Sequence, residues 1–115
     1  MFPIIIVSPK FTKLMSIFID VYAITIFPFI ISKEKMDKVT LNHEKIHIQQ
    51  QKEMLVIFFY LFYAYFFVRN YLIYKDTHVA YMLIPFEKEA RLNHNNQNYL
   101  EKRQFYSWIN YIEWY

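Results

Sequence analysis

The sequence contains no cysteine and no glycine. Without thiols there are no disulfides and no thiolate metal sites, and redox chemistry leaves no trace of compartment. Any metal must then be held by histidine and carboxylate. Without glycine a Gly-rich phosphate cradle is excluded, and turns must rely on proline, asparagine, aspartate and serine. Charge is also sparse, at 20% of residues with a formal net of +3. The basic residues are scattered, with Lys33, Lys35 and Lys38 in one place and Lys102 and Arg103 in another. No dense basic stripe results, so no nucleic-acid partner is expected. The mild excess would suit an anionic membrane surface, although a solvated face explains it as simply.

Apolar and aromatic side chains are plentiful: 56% of the 115 residues are hydrophobic and 22% are Phe, Trp or Tyr. A core is easily supplied, disorder is not expected, and the length suits one domain over residues 1–115. The pattern reads as α+β and mainly helical. A long helix would pack on two or three others beside a small N-terminal hairpin or sheet. Residues 3–7, PIIIV, read as a short strand ended by Ser8-Pro9. Residues 14–31 are apolar for long enough to reach the threshold for a membrane span. Asp20 and Pro28 interrupt them, which favours two segments turning near Asp20, the second a strand over Tyr22 to Ile31. No small-residue cleavage site follows, so a secretory signal is not expected and the chain is placed in the cytoplasm or at a membrane. After a charged loop, Asp37 or Thr40 would cap a helix running from near Thr40 as far as Tyr74.

The second half of that helix, residues 55–68, is apolar all round, so it is expected to be buried on every side or to lie in lipid. Fourteen residues span about 21 Å at the helical rise, short of the roughly 30 Å hydrocarbon core of a bilayer. Membrane contact through residues 55–74 is one expectation, and a fully buried helix is the other. Lys75 to Thr77 then form a polar break. Pro85 suits the first turn of a helix from Phe86 to about Asn93, and a last amphipathic helix is expected from Tyr99 to Trp114.

His43-Glu44-Lys45-Ile46-His47 is an H-E-x-x-H motif inside the strongest helical stretch. Residues four apart share a helical face, so both imidazoles can reach one zinc ion. Glu44 lies beside that face, too far round to ligate in the same geometry but able to take a proton from a zinc-bound water and pass it to a leaving amine. A solvated helix with an idle His pair is the bland alternative. Asn42 and Gln49 to Gln51 keep the surroundings polar, and Gln50 is a candidate outer partner of an imidazole.

A catalytic zinc needs a third protein ligand. Glu87, Glu89, His94, His78 and Glu53 are the candidates. Glu53 follows His47 by six residues, about 120° away around the helix. Glu87 opens the helix in PFEKEA. Glu89 lies about 200° from it, so only one of the two is expected to point inward. A carboxylate in the first turn also meets the positive end of the helix dipole, which favours Glu87, with Glu89 the alternative. His94 shares a face with Glu87 and is a candidate ligand or transition-state donor. Tyr81 and Tyr99 are further candidates by residue type alone.

Asn42-His43-Glu44-x-Ile46-His47 with Gln50, then an aromatic helix, then AYMLIPFEKEA and NYLEKR, resembles a group of small, mostly uncharacterised bacterial H-E-x-x-H proteins described as zinc metallopeptidases. The resemblance covers roughly Ile24 to Tyr111. More distantly, Glu87-x-x-Ala90 is similar to the E-x-x-A-D element that supplies the third ligand in the membrane-associated prenyl-protease and HtpX-like gluzincins, although Arg91 stands where those enzymes have Asp. The resemblance implies a zinc-dependent peptidase acting on a peptide or protein, with His43, His47 and Glu87 on the metal. A non-catalytic, zinc-stabilised, membrane-associated binding module is the alternative, and a plain membrane protein with an incidental His pair is a third reading.

Overall fold

The β-branched run near the N-terminus forms strand β1 (Ile4–Val7), where branched side chains fit a pleated surface. Ser8 and Pro9 end the strand by starting a helix, α1 (Pro9–Met15). Ser8 Oγ accepts from Phe11 N at 3.2 Å, and Pro9 sits in the first turn, where its missing N–H costs nothing. The computed structural model describes residues 3–15 and 23–113. The expected turn near Asp20, the strand start at Tyr22 and the helix end at Trp114 lie outside them. Where one strand is expected up to Ile31, the chain forms a hairpin instead. Strands β2 (Ala23–Ile26) and β3 (Phe29–Ser32) are joined through Phe27-Pro28, because a proline cannot donate to a ladder and so falls at the turn. β2 pairs antiparallel with β3, and β3 pairs parallel with β1, giving a mixed sheet in the order β1-β3-β2.

Helix α2 (Lys38–Glu53) begins where Asp37 Oδ1 accepts from Thr40 N at 2.7 Å, so Asp37 is the cap. The helix does not run on to Tyr74. Leu55 and Val56 take positive φ values of 54° and 63°, and α3 (Ile57–Tyr74) starts afresh. With no glycine available, residues carrying a Cβ occupy these left-handed positions, and Lys75 and Tyr106 do the same at other corners. Each such position costs roughly 1–2 kcal/mol, which packing must offset. α3 is followed by a short helix absent from the sequence reading, α4 (Thr77–Met82), capped by Asp76. Then come α5 (Pro85–Asn93), α6 (Tyr99–Lys102) and a 3₁₀ turn (Ser107–Tyr111). The continuous last helix expected from Tyr99 is thus broken at Arg103 to Tyr106.

The chain is α+β, mainly helical with a small N-terminal sheet. Its core is aromatic. Phe86 is fully buried, with ring centroids 4.6 Å from Phe59 and 4.8 Å from Trp108, and Met54, Phe66 and Ile84 close the cluster. α2 packs against α5, α3 and β2. Because Phe86 is anchored in the core, its neighbour Glu87 is delivered to the face of α2 that carries the His pair.

α3 departs from the expectation of a fully buried helix. Its buried residues are Phe59, Phe66 and Asn70. Ile57, Phe58, Leu61, Phe62, Tyr65, Val68, Leu72 and Ile73 are all exposed. The polar residues point the other way: Asn70 Nδ2 donates to the Ala80 carbonyl at 3.1 Å and Arg69 to the Glu113 carbonyl at 3.0 Å. Phe59, Phe66 and Asn70 thus face the protein, and a broad apolar surface of α3 faces out.

Candidate metal centre

The i, i+4 spacing places His43 and His47 on one face of α2, with Glu44 beside them. One ligand atom from each of the three lies within 4.8 Å of the other two. This His-Glu-His group can hold a metal ion. Glu44 and His47 are buried and His43 is half-buried.

Glu87 of α5 meets this group. Its Oε1 lies 3.1 Å from His47 Nε2 and 3.4 Å from His43 Nε2. Two hydroxyls hold the same carboxylate: Tyr81 donates to Oε1 at 3.1 Å and Tyr63 to Oε2 at 2.7 Å. Tyr63, on α3, was not legible in advance, because an aromatic helix gives no sign of which hydroxyl turns inward.

The outer ring nitrogens are tied as well. His47 Nδ1 is 2.8 Å from Gln50 Oε1, and His43 Nδ1 is 2.9 Å from His94 Nδ1. Asn42 Nδ2 donates to the carbonyls of His94 and Asn96, fixing the loop after α5 against α2. Outer partners of this kind leave the Nε2 atoms for an ion.

Glu89 is as fully buried as Glu87, so the expectation that only one of the two points inward is corrected. α5 is enclosed on two sides, by α2 and by the C-terminal segment. Glu89 faces away from the His pair. It accepts from Gln50 Nε2 at 2.8 Å, from the Tyr99 hydroxyl at 2.6 Å and from Arg103 Nε at 2.6 Å. Tyr99 therefore sits on Glu89, not beside Glu87. Arg103 also reaches Glu53 at the end of α2, and the side chains of Arg103, Glu53 and Glu89 are almost wholly excluded from solvent. Arg103 went unrecognised because its partners lie 14 and 50 residues away, beyond any local pattern. His78 is exposed on α4.

Electrostatics separate the carboxylates. Burial pushes the Glu44 carboxyl up to about 7, and its hydrogen-bond partner is Thr25 Oγ1 on β2, at 3.3 Å. Burial would raise Glu87 too, but His47 and His43 hold it well below the ordinary carboxylate range. Burial opposes the charge on His47, yet Glu87 wins and carries the imidazole up to about 9. Burial lowers His43. In the metal-free protein His47 and Glu87 are thus an ion pair near neutrality. A bound metal must displace the His47 proton. Uptake at pH 7 is therefore expected to release a proton, and apparent affinity to rise as pH climbs from 7 toward about 9. Elemental analysis should give one metal per chain, and His47→Ala should lose most of it; stoichiometric metal in a His43→Ala/His47→Ala double variant would refute the site.

Around Glu44 the sheet edge is partly closed. The Thr25 carbonyl on β2 accepts from Gln51 Nε2 at 2.8 Å and from the Tyr60 hydroxyl, and Phe27 N donates to Gln51 Oε1 at 2.6 Å. An extended peptide cannot pair with those positions unless Gln51 of α2 and Tyr60 of α3 yield them. No protein-family model, curated protein or solved structure matches the chain.

Proposed function

We propose that the protein is a zinc-dependent peptidase in which His43, His47 and Glu87 hold the ion and Glu44 is the general base. The observation that carries this reading is the convergence of two imidazole Nε2 atoms on one carboxylate oxygen of Glu87, at 3.1 and 3.4 Å, beside the buried Glu44. Two nitrogens and one oxygen, with no sulfur, are the donors of catalytic rather than structural zinc centres. Zinc held there supplies a Lewis acid that makes water nucleophilic near neutral pH.

The residues of the chain account for the rest. Tyr63 and Tyr81 anchor Glu87, so the carboxylate is aimed before any ion arrives. Glu44, poised at about 7 by burial, takes a proton at Oε1 or Oε2 and returns it to the departing amine. Tyr81 is 37% exposed, and its hydroxyl is already given to Glu87 Oε1, so its part is to hold the carboxylate. A screen of diverse peptides with the zinc-loaded protein tests the assignment: cleavage that a chelator stops and zinc restores is expected, and an inert zinc-loaded protein argues for a non-catalytic zinc-stabilised module.

The outward face of α3 adds a location to either reading. The helix is long and apolar enough to cross a membrane by length and composition. Its 18 residues extend about 27 Å. A soluble helix would turn Asn70 outward and Leu61, Val68 and Leu72 inward, whereas in α3 Asn70 is buried and those three are exposed. That polarity fits lipid rather than water. The purified chain is expected to co-sediment with phospholipid vesicles, and a Leu61→Ser/Val68→Ser/Leu72→Ser variant to shift to the supernatant. A wild-type protein that stays monomeric and monodisperse without detergent or lipid would speak against it.

A further inference from the structure

We infer that Gln50 is a positioning residue that locks the His47 ring into the tautomer presenting Nε2 to the metal, and that Glu89 and Arg103 hold the Gln50 amide in the one orientation that does so. The inference rests on the metal-centre reading above and deepens it. It starts from a fully buried amide whose polar atoms are all assigned by their neighbours. Gln50 Nε2 lies 3.1 Å from the Phe86 carbonyl oxygen and 2.8 Å from Glu89 Oε1. Both partners are oxygens with no proton to give, so the amide nitrogen must be the atom facing them. Flipping the amide would set an oxygen against two oxygens inside the core and leave two acceptors unsatisfied, which is costly where no water can intervene.

With the nitrogen assigned, Oε1 is the atom 2.8 Å from His47 Nδ1. An amide oxygen can only accept, so Nδ1 must carry a proton. The ring then has one nitrogen left for a ligand, Nε2, which is the atom beside Glu87 Oε1 at 3.1 Å. A tautomer usually left open by coordinates is thus dictated here by a chain of acceptor-only groups.

The fixed hydrogen-bond directions continue one step outward. Glu89 is an acceptor at both oxygens because donors surround it: Tyr99 and Arg103 Nε meet Oε2 at 2.6 Å each, and Arg103 Nη2 meets Oε1 at 3.1 Å. Arg103 is in turn gripped by Glu53. The sequence runs from the C-terminal segment through Arg103, Glu89 and Gln50 to His47, each link a hydrogen bond of fixed direction. His43 has no such lock. Its partner is another imidazole, His94 Nδ1 at 2.9 Å, and either ring can donate to the other. His47 is accordingly the rigid ligand and His43 the adaptable one.

The test uses the full chain with ¹⁵N-labelled histidine. Two variants are compared with wild type: Gln50→Met, which keeps bulk and removes the acceptor, and Glu89→Gln, which keeps shape but adds a donor and so permits the Gln50 amide to flip. Zinc affinity is read by competition with a chromophoric chelator, and the His47 Nδ1–H by its ¹⁵N-coupled proton resonance and its exchange with solvent. Wild type should show a slowly exchanging Nδ1–H with and without zinc. Gln50→Met should lose that protection and about 10- to 100-fold in affinity, and Glu89→Gln should change both in the same direction by less. If Gln50→Met does not fold, Glu89→Gln carries the same readouts. Wild-type affinity together with a protected His47 Nδ1–H in either folded variant overturns the assignment. A wild type that takes up no zinc, yet shows a protected Nδ1–H that the variants lose, refutes the metal reading and supports the positioning role.

Discussion

Replacing Glu44 by glutamine is expected to leave zinc bound, reduce peptide cleavage by about 10²–10⁴-fold, and make the metal-free protein more stable at alkaline pH. The first outcome follows because the proposed ligands are His43, His47 and Glu87, and an isosteric amide at position 44 leaves all three in place. The second follows because an amide cannot accept and return a proton. The third comes from linkage. Burial raises the folded-state pKa of Glu44 from 4.5 to about 7. A carboxyl whose folded pKa is raised destabilises the fold when it ionises, so the penalty is absent below about 4.5, grows as pH rises, and is complete above about 7. Glu44→Gln removes it. Chemical denaturation at pH 4 should show little difference between the two proteins, and at pH 8 the variant should be more stable by on the order of 3 kcal/mol. This combination, gained stability with lost turnover, is the mark of a group kept buried for chemistry. Retained cleavage in the variant would remove Glu44 from the mechanism. Equal stability at pH 8 would mean that water reaches its carboxylate.

The parts of this architecture legible from sequence are those set by neighbouring residues. Asp37 caps α2, Pro85 opens α5, and the four-residue spacing of His43 and His47 is a helical face by geometry alone. The break at Leu55 and Val56 left no signal, since neither is a turn residue and the corner is imposed by how α2 and α3 pack. The orientation of α3 was illegible for a different reason. Periodicity reveals a buried face by contrast, and a helix that is apolar all round offers none. Asn70 and Arg69 make the polar contacts that turn the helix toward the protein. The outer hydrogen bonds were hidden as well: Tyr63 to Glu87, Thr25 to Glu44 and Arg103 to Glu53 join residues distant in the chain.

The largest effect on stability is expected at Arg103. Its guanidinium lies between two carboxylates, Glu53 and Glu89, and all three side chains are within about one per cent of complete burial. Assembling such a cluster need not stabilise the fold, because removing three charges from water offsets most of their attraction. Breaking it is another matter. Arg103→Met would fill much of the same volume while leaving two buried carboxylates without their cation. Glu89 would keep Tyr99 and Gln50 as donors, but Glu53 would lose the side-chain bonds that Arg103 makes to both of its oxygens. Removing one member of a buried ion pair costs about 3–5 kcal/mol. For a domain of this length that corresponds to a fall in melting temperature of roughly 10–20 °C, a large share of the 5–15 kcal/mol typical of a whole fold. The deficit should carry a sign in pH. Unpaired buried carboxylates take up protons readily, so the variant should be least stable relative to wild type at pH 8 and recover as pH falls. Adding Glu53→Gln and Glu89→Gln to Arg103→Met removes the orphaned charges and is expected to restore more than half of the loss. Thermal and urea denaturation of the three proteins at pH 5 and pH 8 decide it. A deficit independent of pH, or one the added substitutions leave unchanged, would mean that Arg103 acts through the packing of its stem and not through its charge.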